Sequence, residues 1–409
     1  MRDTDFYEQI LGLSDPWFVA DVRLEMEAQQ VDVFVEHGEE TKFCCPECGS
    51  ELACYDHTPS RKWRHLDTMQ FRTILHAATP RVKCPEHGVK QVRLPWAEKN
   101  SRFTLFFERF AIDVLLATQT VKGAQSILKT SWDETWHILK KAVARGQQRK
   151  TDKPMPRIGI DEKAFRKGQN YITLIYDLDT STVEAISDGH DTNAADACYS
   201  QLSEPQKESV EAIAMDMSAA YVKSTKANIP FAETKIVHDR FHIMKLATEA
   251  VDKVRRGENR KLIADGDDRL KGTRYLWISG QENLSDQQKE RFDEVYKREL
   301  LTGKAWAYKE MLRDLWAHDS TAAATRFFKD WYRRVIHTKL KPMKKVARTI
   351  KERLANVVSY CTHGITNAVA EGINSKIMAI KRRVGGYRNR ENFKTAIYFY
   401  CGGLDLHPQ

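Results

Sequence analysis

The chain has 409 residues, which is more than one compact core usually takes and predicts about two to four domains. Hydrophobic residues make up 42% of it, the mean hydropathy is -0.56, and the sequence has no apolar run of the length that spans a bilayer, which argues against a membrane protein. The first residues lack the basic, apolar and small-residue regions of a signal peptide, so we expect a soluble cytoplasmic protein without a membrane partner.

Positive charge is concentrated near the C-terminal end. Residues 321–409 hold 18 Lys and Arg against 5 Asp and Glu, a net of +13, so residues 1–320 carry -4 of the total of +9. A basic segment joined to a near-neutral body is typical of proteins that bind a polyanion, most simply nucleic acid. A solvated basic face would give the same count, and charge alone does not separate the two interpretations.

Cysteines are concentrated near the N-terminus, where five of the eight lie within the first 84 residues. Two matched turns, "CPEC" and "CPEH", place Cys45, Cys48, Cys84 and His87 at the spacing of paired zinc ligands, and both turns are followed by Gly. Cys44 competes with Cys45, but only Cys45 lies three positions before Cys48, with two residues between them. The long segment between the turns has strand character, which predicts a zinc ribbon with a β-hairpin between its knuckles.

Residues 101–150 predict a helical domain. "VKGAQSILKTSWDETWHILKKAVARG" indicates a short helix, a turn, and a second helix that begins near Ser131 with Glu134 three residues later, the spacing of a capping box. We expect an inner stripe of Trp132, Trp136, Leu139 and Val143. The pattern fits a DNA-binding helix-turn-helix as well as any small helical bundle.

A polar, Pro-containing linker follows, and after it the pattern changes. Three strands are predicted in "RIGIDEKAF", "NYITLIYDLDT" and "TVEAISDGH", joined as an antiparallel meander. The helix "NAADACYSQL", the strand "VEAIAMDMS", the helix "AAYVKSTKANI" and the strand "TKIVHDRFH" come next, which predicts a mixed sheet with helices on its faces. From about Ile243 to Val358 the pattern is almost entirely helical.

Three carboxylates stand out in this arrangement. Asp161 lies in the first predicted strand, Asp216 at the end of the fourth, and Glu371 is the only acid of residues 362–390, a stretch rich in Lys and Arg. The first and fourth strands are neighbours in the predicted sheet, and a helix packed across it brings Glu371 to the same place. Converging carboxylates need cations, and Mg²⁺ takes oxygen ligands of this kind. Alternatively, Asp161 caps a turn, Asp216 caps a helix, and Glu371 is an ordinary surface residue.

At this point the sequence resembles a family. "GIDEKAFRKGQNYITLIYDLDT", "AMDMSAAYVKSTKANIP", "VHDRFHIMK" and "NAVAEGINSKIMAIKRRVGGYRN" are similar to the DDE transposases of bacterial insertion sequences, most closely the ISL-three type with an N-terminal zinc ribbon. The resemblance covers essentially the whole chain. It implies a multidomain α+β protein with a zinc ribbon, a helix-turn-helix domain, and an RNase H-like mixed α/β core interrupted by an all-helical insertion. The expected segments are residues 1–40 (N-terminal segment), 41–100 (ribbon), 101–150 (helix-turn-helix), 151–242 (first part of the core), 243–358 (insertion) and 359–409 (C-terminal helix of the core).

The resemblance also implies site residues. The catalytic acids fall on Asp161, Asp216 and Glu371, which would bind Mg²⁺ or Mn²⁺, and the zinc ligands fall on Cys45, Cys48 and Cys84. The fourth zinc ligand, usually Cys in the family, is His87 here. We expect contacts to DNA phosphates from the basic residues that follow Glu371, which are Lys376, Lys381, Arg382, Arg383 and Arg388. Asp239 and His242 of "HDRFH" either lie near the site or have buried structural roles.

The function implied is cleavage of DNA at the ends of an insertion sequence, followed by transfer of the freed 3′ strand into target DNA. Its partners would be the terminal inverted repeats, the target duplex and further copies of the chain, as a homodimer or larger oligomer at the bacterial nucleoid. One alternative is a zinc-containing, sequence-specific DNA-binding regulator descended from a transposase that no longer cuts. A second is an RNase H-like nuclease without strand transfer.

Overall fold

A computed structural model of the chain describes residues 2–166, 170–296 and 299–409. Met1, the predicted turn at 167–169 and residues 297–298 of the predicted insertion lie outside the described residues. The chain divides into two compact units, Met1–Lys150 together with Leu404–Gln409, and Thr151–Gly403. Among the helices of the described ranges, none combines the length and the apolar character that crossing a bilayer requires.

The N-terminal unit begins with a helix and two small sheets. Its elements are α1 (Asp3–Leu11), β1 (Trp17–Glu25), β2 (Gln30–His37), β3 (Lys42–Cys44), β4 (Glu51–His57), β5 (Arg61–Arg64), β6 (Arg72–Ala77), β7 (Pro80–Cys84) and β8 (Gly88–Gln91). One sheet has the order β1-β2-β6-β5 and the other β3-β4-β7-β8. Because β2 pairs in parallel with β6, residues 1–40 contribute strands to a sheet that also contains part of the predicted ribbon.

The alternation of apolar residues along β2 explains why one face of this strand packs on the core of the N-terminal unit. Val31, Val33 and Val35 are buried at every second position, as expected for a strand with one face on a core. Trp17 and Trp96 meet edge to face at 4.8 Å between ring centroids in the same core. The strand character predicted between the two zinc turns is therefore confirmed, although β5 and β6 belong to the first sheet rather than to the ribbon sheet.

Three helices complete the N-terminal unit: α2 (Leu105–Thr118), α3 (Val121–Leu128) and α4 (Trp132–Gln148). The predicted capping box is confirmed, since Ser131 Oγ accepts from the Glu134 amide at 3.2 Å and Glu134 Oε2 accepts from the Ser131 amide at 2.8 Å. In the predicted inner stripe Leu139 and Val143 are buried, but the prediction for Trp132 is wrong because 45% of it is exposed. Trp132 occupies the first turn of α4 and stacks on the half-buried Trp136 at 5.5 Å, while Thr135, Ile138 and Ala142 complete the buried face.

The second unit is built on a mixed sheet. Its strands and flanking helices are β9 (Arg157–Arg166), β10 (Asn170–Asp177), β11 (Thr182–Asp188), α5 (Thr192–Tyr199), α6 (Glu204–Ser209), β12 (Ala212–Met215), α7 (Ala219–Asn228), α8 (Ala232–Lys235) and β13 (Ile236–His238). The strand order is β11-β10-β9-β12-β13, with β12 parallel to both β9 and β13. The predicted meander and the predicted adjacency of the first and fourth strands are confirmed. The last predicted strand is shorter than expected, because α9 begins at Arg240.

Helices form the rest of this unit. They are α9 (Arg240–Ala264), α10 (Arg274–Ile278), α11 (Asp286–Tyr296), α12 (Leu301–Arg313), α13 (Thr321–Ile336), α14 (Lys341–Glu352), α15 (Leu354–Val358), α16 (Tyr360–His363), α17 (Ala368–Arg383) and α18 (Arg390–Cys401), with short 3-10 turns at Gln281–Asn283 and Asp314–Ala317. Residues 243–358 enclose their own apolar core around Trp277, Phe328 and Trp331, which confirms the predicted helical region in its described part. The left-handed Gly385 and Gly386 follow the end of α17.

Candidate functional site

Asp161 lies in the middle of β9, opposite Leu174 of β10. Its side chain is half-buried, and its Oδ1 accepts a 2.9 Å hydrogen bond from the Glu162 amide. Lys163 Nζ is 3.7 Å from Oδ2. The carboxylate is therefore held by the central strand of the sheet rather than by a turn.

Asp216 immediately follows β12, whose last residue is Met215. Its Oδ1 accepts from the Ser218 amide at 2.8 Å, which fixes the bend into α7, and Ser218 rather than Asp216 occupies the N-cap position of that helix. The Asp216 main-chain oxygen accepts from His238 Nδ1 at 3.0 Å. Since β12 runs parallel to β9, Asp216 is presented at the carboxyl end of a strand adjacent to the one that carries Asp161.

Helix α17 packs along β9. A Cβ atom built on Gly159 would lie 3.2 Å from Oδ1 of Asn367 and 3.7 Å from Cβ of Ala370, so the start of the helix is in close contact with the strand at this glycine. Asn374 lies three residues, or nearly one helical turn, after Glu371. Its Nδ2 donates a hydrogen bond to Asp161 Oδ2 at 2.7 Å. Lys381 Nζ donates at 2.9 Å to a main-chain carbonyl further along the same strand. These contacts fix the register of the helix against the strand.

The amide of Asn374 is held from its other side by Tyr176. The Tyr176 hydroxyl donates to Asn374 Oδ1 at 2.6 Å, and the tyrosine is fully buried in β10. Burial raises the pKa of Tyr176 well above its ordinary value, so the hydroxyl keeps its proton and acts as the donor. The Nδ2 group of Asn374 is thereby directed towards Asp161.

Glu371 lies on the exposed side of α17, three residues before Asn374. It lines a cleft of about 490 Å³ together with Asp239, Arg240 and Arg313. Within the described ranges, Asp161, Asp216 and Glu371 do not form a group whose ligand atoms all lie within 4.8 Å of one another. The fold thus places two acids on adjacent strands and the third on the helix that contacts Asp161, without closing the three into one coordination shell.

The site carries a concentration of negative charge in a partly desolvated position. Burial raises the pKa of Asp161, the Asp216 charge raises it further, and Lys163 opposes the shift. Burial likewise raises the pKa of Glu162, with smaller contributions from the charges of Asp161 and Asp216. A divalent cation with hard oxygen ligands would relieve this repulsion, so the residues present fit Mg²⁺ or Mn²⁺.

Sequence reasoning missed three residues of this site: Glu162, Asn374 and Tyr176. For Asn374 a signal existed, because an amide three residues after a candidate acid lies on nearly the same side of a helix. Tyr176 had none. Asp239, whose role the sequence left open, caps α9 by accepting a 3.0 Å hydrogen bond from the Phe241 amide. It also lines the Glu371 cleft.

In the N-terminal unit the four predicted zinc ligands lie together. The ligand atoms of Cys45, Cys48, Cys84 and His87 are all within 4.8 Å of one another. Cys48 Sγ is 3.7 Å from Cys84 Sγ, and Cys84 Sγ is 3.5 Å from His87 Nδ1. Hydrogen bonds from Ser50 lower the pKa of Cys48 to about 6, which favours the thiolate that a metal binds. This set of three thiols and one imidazole suits tetrahedral Zn²⁺, and the exposed Cys44 is outside the group.

The predicted phosphate-binding residues differ in their surroundings. Lys376 Nζ donates to the Tyr400 carbonyl at 2.6 Å, and Lys381 Nζ is bound to β9 as described above. Burial lowers the pKa of Lys381. Arg382, Arg383 and Arg388 are all exposed. The main-chain carbonyl oxygen of Arg388 also accepts a hydrogen bond from Arg166. Lys376 is exposed as well, so it differs from the arginines in that its Nζ is already hydrogen-bonded rather than in its exposure.

Comparison with known proteins gives matches along most of the chain. A family model described as a transposase, the DDE domain of family ISL3, matches residues 158–397. A model described as the zinc-finger of transposase IS204/IS1001/IS1096/IS1165 matches residues 41–87, and the helix-turn-helix domain of transposase family ISL3 matches residues 92–143. The chain is 29% identical over 354 residues to the transposase for insertion sequence element IS1001 of Bordetella parapertussis, covering 85% of this chain and 86% of that one. It is 24% identical over 422 residues to the transposase for insertion sequence element IS1557 of Mycobacterium tuberculosis, covering 95% and 93%.

Proposed function

The chain belongs to transposase family ISL3, and we propose on that basis that it cuts DNA at the ends of an insertion sequence and joins the freed 3′ strand to target DNA. Asp161, Asp216 and Glu371 are the proposed catalytic acids. The zinc ribbon and the helix-turn-helix domain are the proposed means of recognising the ends.

The observation that carries this proposal is the contact between α17 and β9. Asn374 reaches Asp161 from a helix on which Glu371 lies three residues earlier, while Asp216 immediately follows the strand next to the one that carries Asp161. This arrangement supports a common role for three acids from distant parts of the sequence. A protein that only bound DNA would gain nothing from three carboxylates, two of them half-buried, beside its phosphate-binding surface.

The acids have distinct proposed roles. Asp161 from the central strand, Asp216 from the end of the adjacent strand and Glu371 from α17 would together hold the cations. Mg²⁺ bound there supplies charge stabilisation to the attacking and leaving oxygens of an in-line phosphodiester displacement. Asn374 and Tyr176 hold the Asp161 carboxylate in its orientation before DNA arrives. The protein itself then contributes positioning and a preorganised negative site rather than a covalent intermediate.

DNA binding is proposed for two surfaces, one in each unit. In the helix-turn-helix domain, α4 exposes Asp133, His137 and Lys140 away from its buried stripe, on the side that would enter a major groove. In the second unit, Arg382, Arg383 and Arg388 are exposed after Glu371 and would contact phosphates near the cut.

The test is a cleavage assay with the full chain on DNA that carries the inverted repeats flanking its gene. We expect cleavage with Mg²⁺, and binding without cleavage when Ca²⁺ replaces it. Asp161→Asn, Asp216→Asn and Glu371→Gln should each abolish cleavage and leave DNA affinity within about twofold, because each removes a cation ligand and no DNA contact.

Glu391→Gln is the matched control, since Glu391 is an exposed acid on the neighbouring helix α18. This variant should cleave the DNA at the same rate as the natural chain. Unchanged cleavage in any of the three acid variants would remove that residue from the proposed site. Repeat-specific binding by the natural chain with no cleavage in Mg²⁺ or Mn²⁺ would favour the regulator instead, and cleavage without joining of pre-cut ends would favour the nuclease.

A further inference from the structure

A second group of metal-binding side chains lies in the N-terminal unit, apart from the ribbon ligands. It consists of His37 at the end of β2 with Cys54 and His57 of β4, whose ligand atoms all lie within 4.8 Å of one another. We propose that these three residues bind a second zinc-type ion that joins the two sheets of this unit. His57 is exposed and the other two are half-buried, so an ion can reach the site from solvent.

The protonation of His37 is fixed by its surroundings. Its Nδ1 lies 2.8 Å from the carbonyl oxygen of Gly38, and a carbonyl can only accept, so Nδ1 carries the proton. In the neutral ring Nε2 then holds a free lone pair. A metal-binding histidine commonly donates its other ring nitrogen to a carbonyl in this way, which sets its tautomer and orientation.

Packing fixes the direction of that lone pair. The His37 ring meets Trp17 edge to face at 5.5 Å between centroids and Phe43 at 4.9 Å. Both aromatic residues are buried. His37 Nε2 points to His57 Nε2 at 2.7 Å, with the two imidazoles stacked 5.0 Å apart. The two nitrogens thus face each other in a hydrogen bond in which His57 Nε2 donates to the His37 lone pair, and His57 Nε2 must lose that proton when an ion binds.

The distances are close to those that a tetrahedral ion requires. With Zn–N of about 2.05 Å and Zn–S of about 2.3 Å, two nitrogen ligands lie about 3.3 Å apart and a nitrogen and a sulfur about 3.6 Å apart. Cys54 Sγ is 3.7 Å from His57 Nε2, the same separation as between Cys48 Sγ and Cys84 Sγ in the ribbon. The two imidazole nitrogens are hydrogen-bonded and must separate by about 0.6 Å, which rotation of the exposed His57 side chain can supply.

The ligand set indicates the class of ion and its coordination. Two imidazoles and one thiolate suit Zn²⁺, with Co²⁺ as a spectroscopic substitute, and do not suit Mg²⁺ or Ca²⁺. The nearby Asp56 carboxylate is engaged by Arg81, whose Nε donates to it at 2.6 Å. Three protein ligands therefore leave the fourth position to water. Since His37 ends β2 of one sheet and Cys54 and His57 lie in β4 of the other, the ion would cross-link the two sheets.

The experiment measures metal stoichiometry on the full chain. Metal-free protein is titrated with Zn²⁺ and with Co²⁺, and bound ions are counted by native mass spectrometry and elemental analysis. We expect two ions per chain for the natural protein, and one for Cys54→Ser and for His57→Gln. Cys44→Ser, which alters an exposed cysteine outside both groups, should keep two. One ion in the natural chain, or two in both ligand variants, would overturn the proposal.

A second measurement needs no substitution and so does not depend on how the variants fold. Zn²⁺ added beyond one equivalent should slow alkylation of Cys54 by iodoacetamide at least ~tenfold, because the bound thiolate is withheld from the reagent. Cys361 of α16, which belongs to the other unit, is the internal control and should react at an unchanged rate. Equal alkylation of Cys54 with one and with two equivalents of Zn²⁺ would also overturn the proposal.

Discussion

Asn374 donates a 2.7 Å hydrogen bond from Nδ2 to Oδ2 of Asp161 across 213 positions of sequence. Its own Oδ1 is held by the buried Tyr176 hydroxyl, so the amide cannot rotate without breaking both bonds. This hydrogen-bonded chain connects β10, α17 and β9, the elements that carry or flank two of the three proposed catalytic acids.

Asn374→Ala should lower the cleavage rate about tenfold to a hundredfold, the range found when a residue that orients a metal ligand is removed. The Mg²⁺ concentration for half-maximal cleavage should rise, because Asp161 is no longer held in position. Tyr176→Phe should change both quantities in the same direction by less. Ser375→Ala, an exposed neighbour on the same helix, is the control and should leave both unchanged. A rate loss in Asn374→Ala without any change in Mg²⁺ dependence would contradict the orienting role.

The adjacency of the first two acids and the packing of the Glu371 helix on the sheet could be predicted from the sequence, whereas the contacts that set the register of that helix could not. Alternation and short turns in residues 157–188 specify a meander, and the order of elements after it places β12 beside β9. The register of α17 on β9 depends instead on the hydrogen bonds from Asn374 to Asp161 and from Lys381 to the Ala164 carbonyl. Such contacts between distant segments leave no periodic pattern in a single sequence.

The same reason explains what was missed in the N-terminal unit. The ribbon ligands are recognisable because each pair lies within four residues of sequence. His37 belongs to another strand, and only the packing of the first sheet brings it to Cys54 and His57. Trp132 departs from its predicted burial because it is the first residue of α4 and its ring stacks on Trp136, whereas the buried face of the helix begins at Thr135.

The thermal stability of the Mg²⁺-free protein should depend on whether the Asp161 carboxyl group is charged. Burial raises the folded-state pKa of this carboxyl above its ordinary 3.8, so the folded chain binds the proton more tightly than the unfolded chain. The resulting stabilisation is complete below the unfolded pKa and is lost as pH rises through the folded pKa. Asp161→Asn should therefore raise the melting temperature of the Mg²⁺-free protein at about pH 7, with a gain that shrinks as pH falls towards about 4.

The measurement is thermal unfolding at several pH values, with and without Mg²⁺. Mg²⁺ should raise the melting temperature of the natural chain at about pH 7 and have little effect on Asp161→Asn, which has lost a ligand. Asp330→Asn, an exposed acid on α13, is the control and should show neither a pH-dependent gain nor an altered response to Mg²⁺. A melting temperature for Asp161→Asn that is lower than that of the natural chain near neutral pH would contradict the expected sign.

The histidine of the ribbon should be replaceable by cysteine but not by a side chain without a ligand atom. His87→Cys should retain the ribbon ion and the fold, because a fourth thiolate completes a tetrahedral site made of cysteines alone. His87→Ala should lose one ion per chain and release the β3-β4-β7-β8 sheet to proteolysis, since binding energy and folding energy are linked in such sites. Metal analysis and limited proteolysis check both outcomes. Retention of the ion by His87→Ala would exclude His87 as a ligand.

Exposed arginines should contribute more to DNA affinity than the partly engaged lysines. Arg382→Ala and Arg383→Ala should each weaken binding to every DNA sequence and reduce the slope of log affinity against log salt by about 0.9 for each phosphate that is no longer bound. Lys376→Ala should change the slope less, because its Nζ is bound to the Tyr400 carbonyl at 2.6 Å. Affinities measured between about 50 and 200 mM salt give the slopes. A larger slope change for Lys376→Ala than for either arginine would reverse this ranking.

Breaking a buried ion-pair network should strongly destabilise the N-terminal unit. Glu108 on α2 is 1% exposed and accepts from Ser101 Oγ at 2.7 Å, Lys141 Nζ at 2.8 Å and Arg145 Nη2 at 2.9 Å. Arg145 also donates to the Leu406 carbonyl at 2.6 Å, which joins the C-terminal residues to α4. Removing the Glu108 carboxylate leaves the buried Arg145 without the more deeply buried of its two carboxylate partners.

Glu108→Ala should therefore lower the free energy of unfolding by about 3 to 5 kcal/mol, the cost of breaking one side of a buried pair. Lys140→Ala, which alters an exposed residue on α4, should stay within about 0.5 kcal/mol of the natural chain. Urea denaturation of the zinc-loaded protein, followed by tryptophan fluorescence, measures both. A loss below about 1 kcal/mol in Glu108→Ala would mean that water enters and solvates Arg145, as it does for surface pairs, and that the network contributes little.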